Sequence, residues 1–523
     1  MVNESMHWAD QAARRIISEK GDKKSYVCAS GITPSGIVHI GNFREIITVD
    51  LVTRALRDLG KEVRFIYSWD DYDTFRKVPE GIPGKELLKS SLRKPIVDIP
   101  DPFGKEKSYA RHFEMQIEKA LPKLGINPEF IYQSTQYRKC IYSAEIRKAI
   151  EKASEIREIL DKYREEPLPK EWLPVSIFDP DTKTDEVSEI RHEGSFKISY
   201  TDKNNNRKTF DFSKDGRCKL LWRVDWPMRW AYEKVDFEPG GKDHSTEGGS
   251  YTTAKDIAKE IYGREAPIYI MYDFITIKGM PGKISSSRGN VVTVDEALEI
   301  YEPSVLRYLF AGTRPDTEFA ISFDLDVIKI YEDFDRVERI YYGNEKIGEK
   351  EERKQERIYE FSCPGKPSEK MPLQPGFRHL TTILQIYSLD EKKTMQHLKD
   401  SIKNANDEQR LAMRLRCARN WLEKYTPDEM KFEVAEKPAK LTDMEARMLS
   451  KLAQGMKEGM SEEELSSLVY ATIKDNKASS ADFFKACYRA IINKEKGPKL
   501  VPFILAIGIG KIKNILGKEK LPE

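Results

Sequence analysis

The 523-residue sequence is short of cysteine, of net charge and of long apolar runs, and each shortage excludes something. Its six cysteines, Cys28, Cys140, Cys218, Cys363, Cys417 and Cys487, are scattered, and none stands in a Cys-x-x-Cys pair. That spacing argues against a zinc knuckle and against a disulfide framework, while free thiols suit a reducing compartment. The 88 Lys and Arg nearly cancel the 86 Asp and Glu, leaving a formal charge of +2. Such a balance carries no global signature of a nucleic-acid binder, so any RNA must meet a local basic face. The longest apolar run, LVPFILAIGIG near the C-terminus, falls far short of the ~20 residues that span a bilayer. The N-terminal MVNESMHWADQAARR lacks the apolar core of a signal peptide. We expect a soluble, cytoplasmic protein with no membrane partner.

What is present is enough apolar side chain, 39% over this length, to fill about three domains. Residues 8–20 read as a short helix. Residues 25–30 (SYVCAS) read as a buried strand running into the loop GITPSG. A helix follows over about 39–59, with Ile40, Phe43, Ile47, Leu51, Ala55 and Leu59 at helical spacing and Gly60 as a stop. VRFIYSW is a second strand, ending in Asp70, Asp71 and Asp73. Strand, helix and strand at these lengths form a βαβ unit and predict a parallel sheet.

From about 80 to 175 the pattern is helical, including the charged run SAEIRKAIEKASEIREILDKY. Within 195–226, KISYT and KTFDFS flank DKNNNR as a hairpin, which reads as an insertion between two halves of a sheet. The α/β pattern resumes at VDFEPGGKDH. A helix over about 250–262 then leads through Gly263 into the strand PIYIMYDFI and the loop KGMPGKISSSRGN. Thr293 and Glu296 are spaced as a capping box. Beyond about 350 amphipathic helices dominate, interrupted by SCPGKPSEKMPLQPG.

Two constellations can carry chemistry. The first is Thr33-Pro34-Ser35-Gly36-Ile37-Val38-His39-Ile40-Gly41-Asn42, in a strand-to-helix turn. Backbone N–H groups at a helix start attract phosphate, and Gly36 and Gly41 let a ligand approach the backbone. His39 can donate to a phosphate oxygen, and Asn42 points the same way. The second is Lys283-Ile284-Ser285-Ser286-Ser287, whose lysine and hydroxyls on a Gly-flanked loop suit a clamp on departing pyrophosphate. Taken singly, the first is also the make-up of an ordinary loop with a capping histidine, and the second that of a polar surface loop. Each follows a strand, however, so both can face one crevice at the carboxyl ends of a parallel sheet.

These motifs, H-I-G-N and K-I-S-S-S, resemble the HIGH and KMSKS signatures of class I aminoacyl-tRNA synthetases. The flanks SGITPSGIVHIGNFRE, DDYDTFRKVP, LLWRVDWPMRW and GKDH are similar to the lysyl type of that class. Asn42 stands where the family has a second histidine, and Ser286 where it has a second lysine; Lys278, Lys283 and Arg288 are candidates for the missing charge. The resemblance implies an α/β fold: a Rossmann-like parallel-sheet catalytic domain with an inserted α+β segment and an all-α C-terminal region. Its expected parts are a first catalytic half over 1–80, an insertion on the acceptor-stem side over 81–220, a second half over 221–290, a connecting helical segment over 291–350, and an α-helical anticodon-binding region over 351–523.

The activity implied is that of a lysine–tRNA ligase. Lysine and ATP with Mg²⁺ give lysyl-adenylate, and the lysyl group passes to tRNA(Lys). Catalysis is expected at His39, Asn42, Lys283 and Ser285. ATP is expected against Pro34, Ser35, Gly36, His39, Gly41, Asn42, Lys283, Ile284, Ser285, Ser286 and Ser287. By resemblance, Gly31, Thr33, Trp222, His244 and Tyr272 line the lysine site. Asp70, Asp71 and Asp243 are acidic residues near strand ends that can meet an amine, Asp70 foremost. Some family members carry cysteine pairs in the insertion; here Cys218 is the one cysteine of the hairpin segment 195–226, so no structural zinc is expected. In RLAMRLRCARNWLEKY, Arg414, Arg416 and Arg419 can form an RNA-facing row or simply the solvated face of an amphipathic helix. Rival readings are a glutamyl-like class I synthetase, a tRNA-independent nucleotidyl transferase of the same superfamily, and a non-catalytic RNA- or lysine-binding relative.

Overall fold

Strand β1 (Ser25–Ile32) and strand β2 (Glu62–Trp69) run parallel in unbroken register from Ser25↔Glu62 to Ile32↔Trp69. Between them the helix Ile40–Asp58 makes the crossover, as parallel pairing requires. Strand β3 (Glu129–Tyr132) adds to the far side of β2, also in parallel. The computed structural model describes residues 7–279, 291–436 and 440–517.

Residues 236–241 lie along the other side of β1. Asp236 N donates to Val27 O and Ala29 N to Phe237 O, both at 2.8 Å. Phe237 bridges Ile268 in parallel, and Gly240–Gly241 pairs with Met271–Tyr272. The order across the sheet is therefore β3, β2, β1, 236–241, 268–272. The chain reverses its direction of travel between β1 and 236–241, which is the switch point of an open doubly wound sheet.

The structure departs from the sequence pattern in three places. The first strand runs two residues past Ser30, to Ile32, because β2 continues opposite it to Trp69. The expected strand PIYIMYDFI is broken into pieces with different partners: Ile268 with Phe237, Met271–Tyr272 with Gly240–Gly241, and Ile275–Ile277 with Phe319–Ile321. The charged helical run after 143 is two helices, Ser143–Glu151 and Ala153–Asp161, separated at Lys152.

The hairpin forms as expected, with Lys197–Thr201 antiparallel to Arg207–Asp211 and Ser188–His192 on its outer edge. Asp202 closes the turn by accepting from the backbone N–H of Asn204 at 2.8 Å and of Asn206 at 2.9 Å. Among the described residues, Asp179, Asp181 and Asp202 bring three carboxylates together. The ammonium of Lys208 sits among them, at 2.6, 2.7 and 2.9 Å. Cys218 is buried in the neighbouring strand Cys218–Leu220.

The chain divides into two units. The first comprises Met1–Ile321 and Val337–Pro367. Its buried Asp50 is bracketed by Arg307 at 2.8 Å and Arg54 at 2.9 Å, and both guanidiniums also donate to backbone carbonyls of 361–364. Gly125 permits this closure: its φ is +69°, and a Cβ there would lie 1.8 Å from the Pro364 carbonyl oxygen.

The second unit comprises Ser322–Arg336 and Ser368–Glu523 and is helical, with Leu449, Leu452, Phe483, Ile491 and Ile504 in its core. Arg414 is fully buried, pairing with Asp335 at 2.9 Å and donating to the Pro375 carbonyl at 3.1 Å. Arg419 pairs with Glu391 and Glu423 at 3.1 and 3.0 Å, and Arg416 is exposed. This corrects the RNA-facing row: Arg414 braces the unit from within, because it falls on the buried stripe with Leu411, Leu415 and Ala418. Among the described residues no helix is long and apolar enough to cross a membrane.

Candidate active site

A cavity of about 670 Å³ opens at the carboxyl end of β1, at the switch point. Gly31 belongs there by necessity: a Cβ would lie 2.8 Å from the Ser68 carbonyl oxygen on β2. Ser30, Gly31 and Thr33 form one wall with Ser35, Gly36 and Asn42 of the following turn; Trp222, His244 and Tyr272 come from the second half of the sheet. Trp222 starts the helix Trp222–Tyr232 and stacks on Trp226 at 5.2 Å between centroids, with the Arg229 guanidinium 5.6 Å from its ring.

Three carboxylates face the cavity, in three electrostatic states. Asp70 is paired with Arg229 at 2.7 Å, and Arg229 reaches Asp225 at 3.4 Å. Asp73 accepts from Lys219 at 2.9 Å and from the Thr33 hydroxyl at 3.0 Å. Burial alone would raise the Asp73 carboxyl, but the Lys219 ammonium and these hydrogen bonds outweigh it and hold it below the usual range. Among the described residues, Glu45 accepts only from neutral donors: the Ser30 hydroxyl at 2.8 Å, the Gly31 N–H at 3.1 Å and the Tyr272 hydroxyl at 2.6 Å. Burial pushes its carboxyl above the usual range. Arg76 and Lys77 stand exposed on the cavity's lip. The cavity thus has an acidic interior and a basic rim.

The turn after β1 is built around His39, the N-cap of the helix Ile40–Asp58. Its Nδ1 accepts from Gly41 N at 3.1 Å, so the neutral ring carries its proton on Nε2. Asn42 Oδ1 accepts from His39 N at 3.1 Å, which leaves the amide nitrogen as the donor Asn42 can offer. The first helical amides are engaged within the protein. Ile40 N donates to Val292 O at 2.8 Å, Gly41 N to His39, and Asn42 N to the His39 carbonyl at 2.9 Å. The expected phosphate-facing N–H groups at the helix start are thus taken up within the protein, and Gly36, Ile37 and Val38, one step earlier, line the cavity.

Nine of the residues singled out from sequence line this one cavity: Gly31, Thr33, Ser35, Gly36, Asn42, Asp70, Trp222, His244 and Tyr272. Pro34, His39 and Gly41 sit in the adjoining turn and not on the wall. Lys283, Ile284, Ser285, Ser286 and Ser287, with Arg288, lie outside the described residues. Beyond them, Thr293 makes an antiparallel bridge with His39 and caps its own helix with Glu296, as its spacing suggested. Two acidic candidates are corrected. Asp71 is off the cavity wall and accepts from both N and Oγ of Ser134, in the first turn of the helix Gln133–Arg138, with its carboxyl pushed by burial to about 6. Asp243 is exposed and off the cavity wall.

A model of the family described as tRNA synthetases class I (K) matches residues 6–365. The chain belongs to the class I (K) tRNA synthetases. A relative from Borrelia garinii named lysine–tRNA ligase is 47% identical to this synthetase over 98% of the chain and 99% of the relative. Relatives of the same name from Treponema pallidum, 44% identical over 99% of each chain, and Thermococcus kodakarensis, 43% over 96% and 97%, extend the likeness. A solved glutamate tRNA ligase from Elizabethkingia meningosepticum, in complex with its amino acid, aligns with a TM-score of 0.45 at 13% identity, over 95% of this chain and 99% of that one.

Several residues of this synthetase's cavity gave no motif signal. Lys219 and Arg229 look like solvated charges in sequence, yet both are buried as counter-ions. The available signal was the i, i+4 spacing of Asp225 and Arg229 in WRVDWPMRW. Glu45 stands three residues after Asn42, on the same helical face, and that spacing alone could have marked it.

Proposed function

We propose that this synthetase is a lysine–tRNA ligase that forms lysyl-adenylate from lysine and ATP and esterifies tRNA(Lys). The observation that carries the reading is the cavity itself: an acidic interior suited to a diamine end-to-end, beside a turn and rim suited to phosphates. The shared name of the relatives supports the choice of lysine.

The lysine carboxylate attacks the α-phosphate in line, and the protein's task is to position the reactants and stabilise charge on the leaving pyrophosphate. His39 donates through Nε2–H and Asn42 through its amide. Pro34, Ser35, Gly36 and Gly41 shape the turn around the phosphates. Lys283 and Ser285, with Ile284, Ser286 and Ser287, act from the second motif, and Arg76 and Lys77 add positive charge that Ser286 does not supply. Gly31 and Thr33 give close backbone approach, Trp222 and His244 wall the aliphatic arm, and Asp70, fixed by Arg229, meets the α-ammonium. Magnesium enters on the ATP phosphates. Among the described residues Asp70 and Asp73 are paired with Arg229 and Lys219, and no group of three metal-ligating side chains lines the cavity to make an all-protein cage for it. The terminal ribose of tRNA then attacks the adenylate, through its 2′-hydroxyl by likeness to the class.

Amino-acid-dependent exchange of pyrophosphate into ATP tests this. Lysine is expected to support exchange well above the other nineteen amino acids; exchange with glutamate or arginine in its place would overturn the assignment.

A further inference from the structure

We propose that Glu45 is the residue that reads the side-chain ammonium of lysine, with the Tyr272 hydroxyl and the Ser30–Gly31 wall holding its carboxylate in place. The inference rests on lysine being the substrate of this cavity and names the group that selects it.

Three observations converge. First, among the described residues three carboxylates face the cavity: Asp70, already given to the α-ammonium, is braced by Arg229 at 2.7 Å, and Asp73 is neutralised by Lys219 at 2.9 Å. Among the described residues Glu45 has no cation beside it: its donors are two hydroxyls and one amide. A desolvated carboxylate without a counter-ion is costly, and a ligand ammonium placed against it supplies the missing charge. The raised carboxyl of Glu45 agrees with that deficit.

Second, Glu45 lies at the right depth. Asn42 and the turn before it face the phosphates, so the reacting carboxylate of lysine belongs at that end. Three residues further along the helix, Glu45 stands about 4.5 Å deeper along its axis. It touches Ser30 and Gly31, whereas the Thr33–Asp73 contact lies further out on the same wall. An amino acid laid along β1 with its carboxylate at the turn therefore directs its side chain inward, toward Glu45.

Third, the carboxylate is aimed. Oε1 is fixed by Ser30 and Gly31 and Oε2 by Tyr272. A carboxylate has about four acceptor sites, so lone-pair capacity remains for an ammonium. Selectivity then has a physical basis: a site built around an ion pair rejects an isostere lacking the charge, because that isostere leaves the buried carboxylate unpaired.

The test is Glu45→Gln, which keeps the size and the oxygen that accepts from Ser30 and Gly31, reverses the bond with the Tyr272 hydroxyl, and removes the charge. Pyrophosphate exchange gives KM for lysine, and norleucine, which lacks the ammonium, gives Ki as a competitor. The expected result is a lysine KM raised on the order of 10²-fold, with norleucine Ki and ATP KM within about twofold of the parent protein. A lysine KM that stays put, or a norleucine Ki that rises in step with it, overturns the proposal, since either assigns Glu45 a purely structural part. If Glu45→Gln does not fold, Glu45→Asp carries the same test: it keeps the charge but withdraws it, so lysine KM should rise while norleucine Ki does not. Failure of the parent protein to exchange with lysine would defeat the proposed function; a parent that does so, beside a variant that still discriminates lysine from norleucine, defeats only this inference.

Discussion

We propose two duties for His39, on two different atoms. Nδ1 caps the helix by accepting from Gly41, and Nε2–H is the group that the proposed function gives to a phosphate. The reading of a capping histidine and the reading of a phosphate donor are therefore compatible, and substitution can separate them. His39→Asn keeps a good N-cap and should preserve stability to within a few tenths of a kcal/mol. His39→Ala should lose about 1 kcal/mol through the cap. Both should slow lysyl-adenylate formation on the order of 10²–10³-fold, as for other single stabilising donors. Thermal melting and single-turnover adenylate formation measure the two effects; near-normal activation by folded His39→Asn would contradict the assigned role. The motif residues of this turn were legible because a strand-to-helix turn constrains sequence tightly. Glu45, Lys219 and Arg229 were not, because a charged side chain gives no sign in sequence of whether water or another side chain surrounds it.

At the scale of elements, period and composition found the helices and the first βαβ unit, since each repeats one simple environment. They failed where one apolar run serves several partners. PIYIMYDFI reads as a single strand, yet it is divided among Phe237, Gly240–Gly241 and Phe319–Ile321, and pairing partners are set by distant parts of the chain. The helix Ala405–Lys424 shows the same limit. Its arginines look alike in sequence, but Arg414 is buried against Asp335 and Arg416 is exposed. Arg414→Ala removes a buried guanidinium from Asp335 and from the Pro375 carbonyl and should cost about 3–5 kcal/mol. Arg416→Ala should change stability by less than about 0.5 kcal/mol. Thermal or urea denaturation distinguishes them, and equal effects would contradict the buried pairing.

At the scale of the whole molecule, the division of labour follows from topology. The reversal of the sheet between β1 and 236–241 makes one crevice, and residues from 30 to 272 converge there although sequence separates them widely. The class could be read from the two motifs and their flanks. The arrangement of charge in the crevice, with two carboxylates paired and Glu45 held by neutral donors, could not, because it depends on Lys219 and Arg229 arriving from far along the chain. On the proposed function, that arrangement is what would favour lysine at this site. The most direct measurement is aminoacylation of unfractionated tRNA by the full-length protein with each of the twenty amino acids in turn. Lysine should be the amino acid that accumulates on tRNA, in an ATP-dependent reaction. Charging with glutamate, or an ATP-dependent adenylate that never passes to tRNA, would contradict the account.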